Sequence, residues 1–321
     1  MAENLAAKAW SFLTNKKLVE QRDEVSWAGI KLNHKYYNYL VCGDPDLHYL
    51  KYFMAKYIKK PGRVLSLGCG NGHLERVLIG MGLPYIEMQG IDINPDLMKY
   101  AAEEAARSGC KNIRYLAADL NHFELPPRSF DLIIFFHSLH HIENLEGMIS
   151  NVRNALAEDG LVLVVDFVGP SRFQWTDLQM RLTQELLDNL PDELKLGRYN
   201  PSSRSVKRTI TRSTVKEVVD IDPSEAIRSG EILNLLRAEF QVLEEKPMGG
   251  TLLHLLYNGI AGNFDETNPY VCALIRSLQK TEELLILNGV ISSDFIFMVL
   301  RNKPGQKLAM NSNPRKEPET L

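Results

Sequence analysis

Short runs of apolar residues alternate with segments of helical spacing between residues 63 and 168. The apolar runs are Val64–Leu67, Ile91–Ile93, Ile113–Ala117, Leu132–Phe136 and Leu161–Phe167. Strands separated by helices in this way form βαβ units, which build a parallel sheet with helices on both faces. Two further strands are expected near Gln241–Lys246 and over Asp294–Arg301. We therefore predict an α/β, Rossmann-like fold with a seven-stranded, mostly parallel sheet.

Local signals mark several helix ends. Asn94-Pro95-Asp96 supplies a capping residue followed by proline at the first helical position, before a helix over Leu97–Arg107. Asp159-Gly160 is expected to close a helix before the fifth strand, and Asp44-Pro45 to start one in the N-terminal region.

Changes in the pattern of apolar and polar residues divide the chain into five parts. Residues 1–60 have helical periodicity and are predicted to form a lid segment, followed by a core at 61–168. Residues 169–229 lose the βα alternation and are interpreted as a cap insertion with a helix at Asp177–Leu190. Residues 230–302 complete the core around a helical insertion, and the polar stretch 303–321 is predicted to be disordered.

Composition narrows the class of protein. Hydrophobic residues make up 45% and charged residues 24%, with a net charge of -3, which is ordinary for a globular domain and gives no field to hold nucleic acid. No apolar run approaches the ~20 residues that span a bilayer, and no secretory signal is evident. Four scattered cysteines show no metal-ligand spacing. We expect a cytoplasmic protein without a metal site, a membrane partner or a nucleic-acid partner.

A glycine-rich turn follows the first strand, in the sequence Val64-Leu65-Ser66-Leu67-Gly68-Cys69-Gly70-Asn71-Gly72. Glycines let the backbone pass close under a ligand, and the next helix offers free N–H groups. A dinucleotide site requires Gly-x-Gly-x-x-Gly, whereas His73 follows Gly72 here. The spacing therefore disfavours a pyrophosphate ligand.

Two acids follow the next two strands. Asp92, beside Ile93, ends the second strand, where a carboxylate can accept hydrogen bonds from both hydroxyls of a ribose. Asp119, beside Leu120, follows the third strand and could accept from an adenine amine. Either acid alone is typical of a loop cap, but the three elements in this order favour a nucleoside ligand.

These motifs resemble the class I S-adenosylmethionine-dependent methyltransferases, in particular their methyltransferase-domain branch, over about Arg63–Val168. The resemblance implies S-adenosyl-L-methionine as cofactor and S-adenosyl-L-homocysteine as product. It assigns cofactor contacts to Ser66, Gly68, Cys69, Gly70, Gly72, Asp92, Ile93, Asp119, Leu120 and His137. The family usually has an acid at the position of Ser66, often helping to hold the methionine ammonium. Another group must therefore help to hold the ammonium in this chain, and the candidates are Tyr36, Tyr37 and Asp44.

The carboxyl edge of a parallel sheet binds ligands, so residues there are candidates for chemistry. We predict His137 and Asp166 as catalytic residues, His137 as a general base or part of the acceptor wall. His140 and His141 are interpreted as packing residues. Arg172 and Trp175 open the insertion and are predicted to bind the acceptor.

The expected activity is methyl transfer to oxygen or nitrogen of a small-molecule, peptide or carrier-bound acceptor. Two alternatives stay open. One is a catalytically silent binding subunit that keeps the cofactor fold, and the other is an enzyme of this fold that uses the sulfonium for different chemistry, such as cyclisation or decarboxylation. The sequence leaves the oligomeric state open.

Overall fold

In a computed structural model, which describes residues 5–199 and 205–304, seven strands form one sheet in the order β3-β2-β1-β4-β5-β7-β6. The strands are β1 (Gly62–Leu67), β2 (Tyr85–Asp92), β3 (Ile113–Ala117), β4 (Phe130–Phe136), β5 (Leu156–Phe167), β6 (Phe240–Gly249) and β7 (Phe295–Asn302). Strands β1 to β5 pair in parallel, and β7 runs antiparallel to both β5 and β6. The prediction of a seven-stranded, mostly parallel sheet is confirmed.

Twelve α-helices in the described residues surround this sheet. They are α1 (Leu5–Ala9), α2 (Lys16–Val25), α3 (Lys31–Cys42), α4 (Tyr49–Tyr57), α5 (His73–Gly80), α6 (Pro95–Arg107), α7 (Leu145–Ala155), α8 (Asp177–Asp188), α9 (Val215–Ile221), α10 (Ile232–Glu239), α11 (Leu253–Tyr257) and α12 (Pro269–Leu287). Buried side chains of α7 and α10 pack on one face of the sheet, and those of α4 and α5 pack on the other. None of these helices is long and apolar enough to cross a membrane.

The order of strands reverses between β1 and β4. From β1 the chain builds outward to β2 and β3, then returns to place β4 on the other side of β1. The loops after β1 and β4 therefore diverge and leave a crevice at the carboxyl edge of the sheet, where open α/β sheets bind their ligands.

Two of the three predicted helix ends are wrong. Asn94 does cap α6, accepting from the backbone N–H of Asp96 and Leu97. Asp44-Pro45 starts no helix, because the cap of α4 is His48, which accepts from Leu50 N–H. Asp159-Gly160 ends no helix either, because α7 stops at Ala155 and β5 already includes both residues.

The insertion and the end of the chain pack on β7 and on each other. A buried carboxylate, Glu282 of α12, accepts backbone hydrogen bonds from Gly250, Leu252 and Leu253 and so caps the start of α11. In the insertion, Lys207 donates to three carbonyl oxygens at the end of α11, those of residues 255, 256 and 258. The predicted disordered tail lies, from residue 305 onward, outside the described residues.

Candidate cofactor and acceptor site

A cavity of about 550 Å³ lies over the crevice between β1 and β4. One half is formed by the loops after β1, β2 and β3, and we call it the cofactor half. The other half is formed by the N-terminal helices with the ends of β4, β6 and β7, and we call it the aromatic half. The aromatic half is lined by Trp27, Tyr37, Tyr49, Phe136, Met248 and Phe295 together with His34 and His48.

The glycine turn forms the floor of the cofactor half. Gly68, Gly70 and Gly72 all have positive φ angles, of 68°, 54° and 71°. A Cβ atom on Gly68 would lie 2.4 Å from the Cβ of Ser138, whereas one on Gly70 would meet nothing closer than Leu13, at 3.5 Å. Gly70 is therefore the position where the backbone borders open cavity rather than packed protein.

Asp92 holds the turn and faces the same cavity. Its two carboxylate oxygens accept from Gly70 N–H at 2.9 Å and Asn94 N–H at 3.0 Å. Burial raises the pKa of Asp92, and these backbone hydrogen bonds oppose the rise. A carboxylate has about four acceptor positions. Two therefore stay available for ribose hydroxyls.

The remaining predicted cofactor residues also line the cavity. The structure brings together Ser66, Cys69, Ile93, Asp119, Leu120 and His137 with the glycine turn and Asp92. Asp119 accepts hydrogen bonds from Asn121 and stays partly exposed. The residues predicted from the sequence to bind a nucleoside thus line one cavity.

The N-terminal segment covers the cofactor half. Asn94 Nδ2 donates to the carbonyl oxygen of Ala7 at 2.7 Å, and Asn71 Nδ2 donates to that of Leu13 at 3.0 Å. Both asparagines directly follow residues of the cofactor floor. Residues 5–14, which we call the cover segment, are therefore attached to the same loops that hold the ligand.

The aromatic half contains one buried polar group without a described partner. The hydroxyl of Tyr37 is buried and makes no hydrogen bond with any described residue, and burial keeps the pKa of this phenol well above its usual range. Trp27 packs against Tyr37 at 5.2 Å and against Phe295 at 4.7 Å between ring centres. The wall of the aromatic half is thus apolar apart from the phenols of Tyr37 and Tyr49 and the imidazoles.

Five histidines line the cavity: His34, His48, His73, His137 and His141. His137, at the end of β4, has a φ of 53° and packs edge-on against Phe136 and Phe295. Non-glycine residues rarely adopt this conformation, and it places the ring where the two halves of the cavity meet. Burial lowers the pKa of His48, whose Nδ1 accepts from Leu50 N–H, so the neutral ring carries its proton on Nε2.

Asp166, predicted as catalytic, lies outside the cavity wall. It is fully buried, and it accepts from the backbone N–H groups of Ser138, Leu139 and Phe167 and from the His140 ring. On its other side His140 faces Glu225 of the insertion, at 3.4 Å. Three of these four hydrogen bonds hold the loop after β4, and the fourth comes from the neighbouring residue on β5.

The polar contacts among Asp166, His140 and Glu225 link the core to the insertion. The carboxylates of Asp166 and Glu225 raise the pKa of His140 to about 10 against the opposing effect of burial, so the ring is an imidazolium between two anions. His141 lies beside it, and the ligand atoms of His140, His141 and Glu225 fall within 4.8 Å of one another. In the structure these atoms pair with each other and with Ser224 and Asp166.

Arg172 and Trp175, predicted to bind the acceptor, also lie outside the cavity wall. Arg172 donates to the carbonyl oxygens of Pro223 and Glu225 within the insertion. Trp175 is buried, stacks on Phe173 and donates to the carboxylate of Asp294 at 3.1 Å. Arg172 thus holds the insertion together, and Trp175 attaches it to the residue before β7. Ser224 is the one described residue of the insertion in the cavity wall.

Two of the three candidates for replacing the acid at Ser66 also lie elsewhere. Tyr36 donates to the carbonyl oxygen of Gln279, and Asp44 accepts from Asp46 N–H in an exposed loop. Tyr37 lines the cavity, in the aromatic half. Sequence reasoning missed Glu75, a buried acid in the wall three residues after the last glycine of the turn. An acid facing inward in the first turn of that helix was the available signal.

Comparison with known proteins identifies the family of this chain. Residues 58–228 match the family described as "Methyltransferase domain". The chain is 34% identical over 108 residues to an uncharacterised methyltransferase of Mycobacterium tuberculosis, covering 34% of this chain and 52% of that protein. It is 30% identical over 112 residues to the demethylmenaquinone methyltransferase of Tropheryma whipplei, covering 34% of this chain and 44% of that protein. The chain thus spans about half the length of the curated relatives it matches.

A solved S-adenosylmethionine-dependent methyltransferase from Mesorhizobium loti shares 16% identity at a TM-score of 0.44, with 78% of this chain and 96% of that chain covered. The fold and the site define a class I methyltransferase. The chain belongs to the methyltransferase-domain family, whose cofactor is S-adenosyl-L-methionine.

Proposed function

We propose that this chain transfers a methyl group to oxygen or nitrogen of an apolar small molecule or carrier-bound group that occupies the aromatic half of the cavity. The Tyr37 hydroxyl supports this most directly, because a buried donor without a partner is costly unless a ligand satisfies it. The rings around it favour an acceptor with an apolar body and one polar group. The Tropheryma relative is named for a quinone, which agrees with this class, although its match covers 44% of that protein.

Bound S-adenosylmethionine supplies a methyl group activated by its sulfonium. The residues of the chain then have to align the acceptor and exclude water. Gly70 and Asp92 would hold the nucleoside, the cover segment shields it, and Tyr37 would donate to a polar atom of the acceptor. Proximity accounts for most of the rate in such a displacement, so a strong base is needed only for an acceptor that is protonated.

His137 is the residue proposed to take that proton. It lies where the cofactor half meets the aromatic half, and its backbone N–H donates to Val165 at 2.7 Å, which holds the residue at the edge of the sheet. A neutral imidazole can accept a proton from a hydroxyl.

The test uses radiolabelled methyl on S-adenosylmethionine with a panel of apolar phenols, carboxylic acids and amines. Tyr37→Phe removes one hydroxyl and should raise KM for the preferred acceptor on the order of tenfold, as expected for a lost buried hydrogen bond. Its dissociation constant for S-adenosylmethionine should be unchanged. Tyr257→Phe is the matched control, because that hydroxyl is also buried without a described partner but lies outside the cavity.

Other outcomes separate the alternatives. Cofactor consumption without transfer of label would favour different sulfonium chemistry. A folded protein that binds no S-adenosylmethionine would be a scaffold. Transfer to hydrophilic peptides but to no apolar compound would refute the proposed acceptor class.

A further inference from the structure

Glu75 lies in the first turn of α5 and lines the cofactor half of the cavity. Its side chain is 1% exposed, and neither carboxylate oxygen makes a hydrogen bond with any described residue. Buried acids are almost always paired, because an ionised carboxylate without a partner is strongly destabilising. An unpaired acid in the wall of a ligand cavity therefore indicates a cationic ligand group.

The charged neighbours of Glu75 do not satisfy it. Arg76 is the next residue, but its guanidinium donates to the carbonyl oxygen of Asn71 at 2.9 Å. Asp92 contributes like charge, and Cys69 and Tyr115 are neutral at physiological pH because burial raises the pKa of each. Burial raises the pKa of Glu75, and the Ser66 hydroxyl, the backbone N–H of Glu75 and the charge of Arg76 oppose only part of that rise.

Ser66 is also the position where the family usually has an acid. In this structure the wall has a serine on β1, and the acid beside it comes from α5. Serine leaves room for the longer Glu75 side chain, and two adjacent buried carboxylates would repel each other.

We propose that Glu75 binds the ammonium group of the methionine moiety, so that the acid of this subsite comes from α5 instead of β1. The inference rests on the proposed function only through the cofactor, and not through the acceptor. A charged hydrogen bond between Glu75 and the ammonium also explains why the carboxylate is kept in a position where it destabilises the free protein.

Calorimetry of the full chain tests this with two ligands, S-adenosylhomocysteine and 5′-methylthioadenosine, which lacks the ammonium and carboxylate. Glu75→Gln should raise Kd for S-adenosylhomocysteine on the order of 10- to 100-fold, and should leave Kd for methylthioadenosine unchanged. Ser66→Asp/Glu75→Ala, which moves the acid to β1, should recover most of the lost affinity. Glu158→Gln, an exposed acid on β5, is the control for charge alone.

Two results would overturn the proposal: a folded Glu75→Gln variant with normal affinity for S-adenosylhomocysteine, or an equal loss for both ligands, which would mean that Glu75 only shapes the wall. If wild-type protein binds neither ligand, the cofactor and the proposed function fail together.

If Glu75→Gln does not fold, the proposal is tested by the proton release that accompanies binding of S-adenosylhomocysteine to the wild-type protein. Binding an ammonium requires ionised Glu75, so roughly half a proton or more should be released near pH 6.5, measured in buffers of different ionisation enthalpy. The absence of proton release would contradict the assignment.

Discussion

Trp10 of the cover segment donates its indole N–H to the carboxylate of Asp222, at 2.7 Å, across 212 positions of sequence. Its ring also packs edge-on against His141, with 5.4 Å between ring centres. The cover segment and the insertion therefore meet above the cofactor half, and each is also attached to the core loops beneath.

Replacing Trp10 with phenylalanine should speed the release of cofactor. The aromatic contact with His141 is kept, and the hydrogen bond to Asp222 is lost, which corresponds to about 1 kcal/mol and a roughly fivefold faster dissociation. Stopped-flow displacement of bound S-adenosylhomocysteine measures the rate. Trp175→Phe is the matched control, because it removes an indole donor to Asp294 outside the cavity and should lower thermal stability without changing the dissociation rate.

Alanine at two glycines of the turn should separate binding from folding. At Gly70 an added Cβ meets only Leu13, at 3.5 Å, so Gly70→Ala should fold with a loss of about 1 kcal/mol from its positive φ and bind cofactor at least tenfold more weakly. At Gly72 an added Cβ would lie 2.6 Å from the hydroxyl of Tyr115 and 2.8 Å from Ala101, so that variant should lose several degrees of Tm as well. Thermal melts and binding isotherms measure both effects. Equal melting temperatures would show that the two glycines serve the same purpose.

The stability supplied by His140 should depend on pH in a defined direction. Its pKa is raised to about 10 by Asp166 and Glu225, so its contribution is complete below pH about 6.5 and is lost as the pH rises toward 10. The imidazolium also lowers the pKa of Asp166, and that of Glu225 to about 2, so their contribution is complete above pH about 4.5. The network should therefore stabilise most between pH about 4.5 and 6.5.

His140→Ala leaves two buried carboxylates unpaired and should cost about 3–5 kcal/mol at pH 6. Urea unfolding at pH 6, 7.5 and 9 measures the difference from wild type, which should shrink as the pH rises. His122→Ala, at an exposed histidine, should show almost no change. A penalty independent of pH would mean that His140 acts through packing alone.

Glu75→Gln should stabilise the free protein while it weakens cofactor binding. Burial raises the pKa of Glu75 to about 7, so its contribution to stability is complete below pH about 4.5 and is lost as the pH rises through 7. At pH 8 the variant should therefore be more stable than wild type by up to about 3 kcal/mol. Chemical unfolding without ligand, at pH 5.5 and pH 8, measures the gain. A variant that is less stable at pH 8 would show that the carboxylate has a protein partner.

The sequence by itself determined the sheet, and it predicted which residues lie together at the glycine turn. Apolar runs alternating with helical patterns define parallel strands, and a glycine turn constrains backbone that is adjacent in sequence. Asp92 could be assigned because its hydrogen bond to Gly70 follows from two neighbouring strands that end at one edge. Such features depend on local backbone geometry and on the regular pairing of strands.

The tertiary structure alone decided which side chains form the walls of the cavity. Arg172 and Trp175 follow the fifth strand and so suggested an acceptor site. Partners within the insertion and at Asp294, just before β7, hold both side chains away from the cavity. Asp166 ends a strand at the correct edge, yet its carboxylate is committed to the β4 loop. The Tyr37 hydroxyl and the Glu75 carboxylate are candidates because neither has a hydrogen-bond partner among the described residues. Satisfaction of a buried polar group depends on every element packed around it, and the order of residues along the chain does not contain that information.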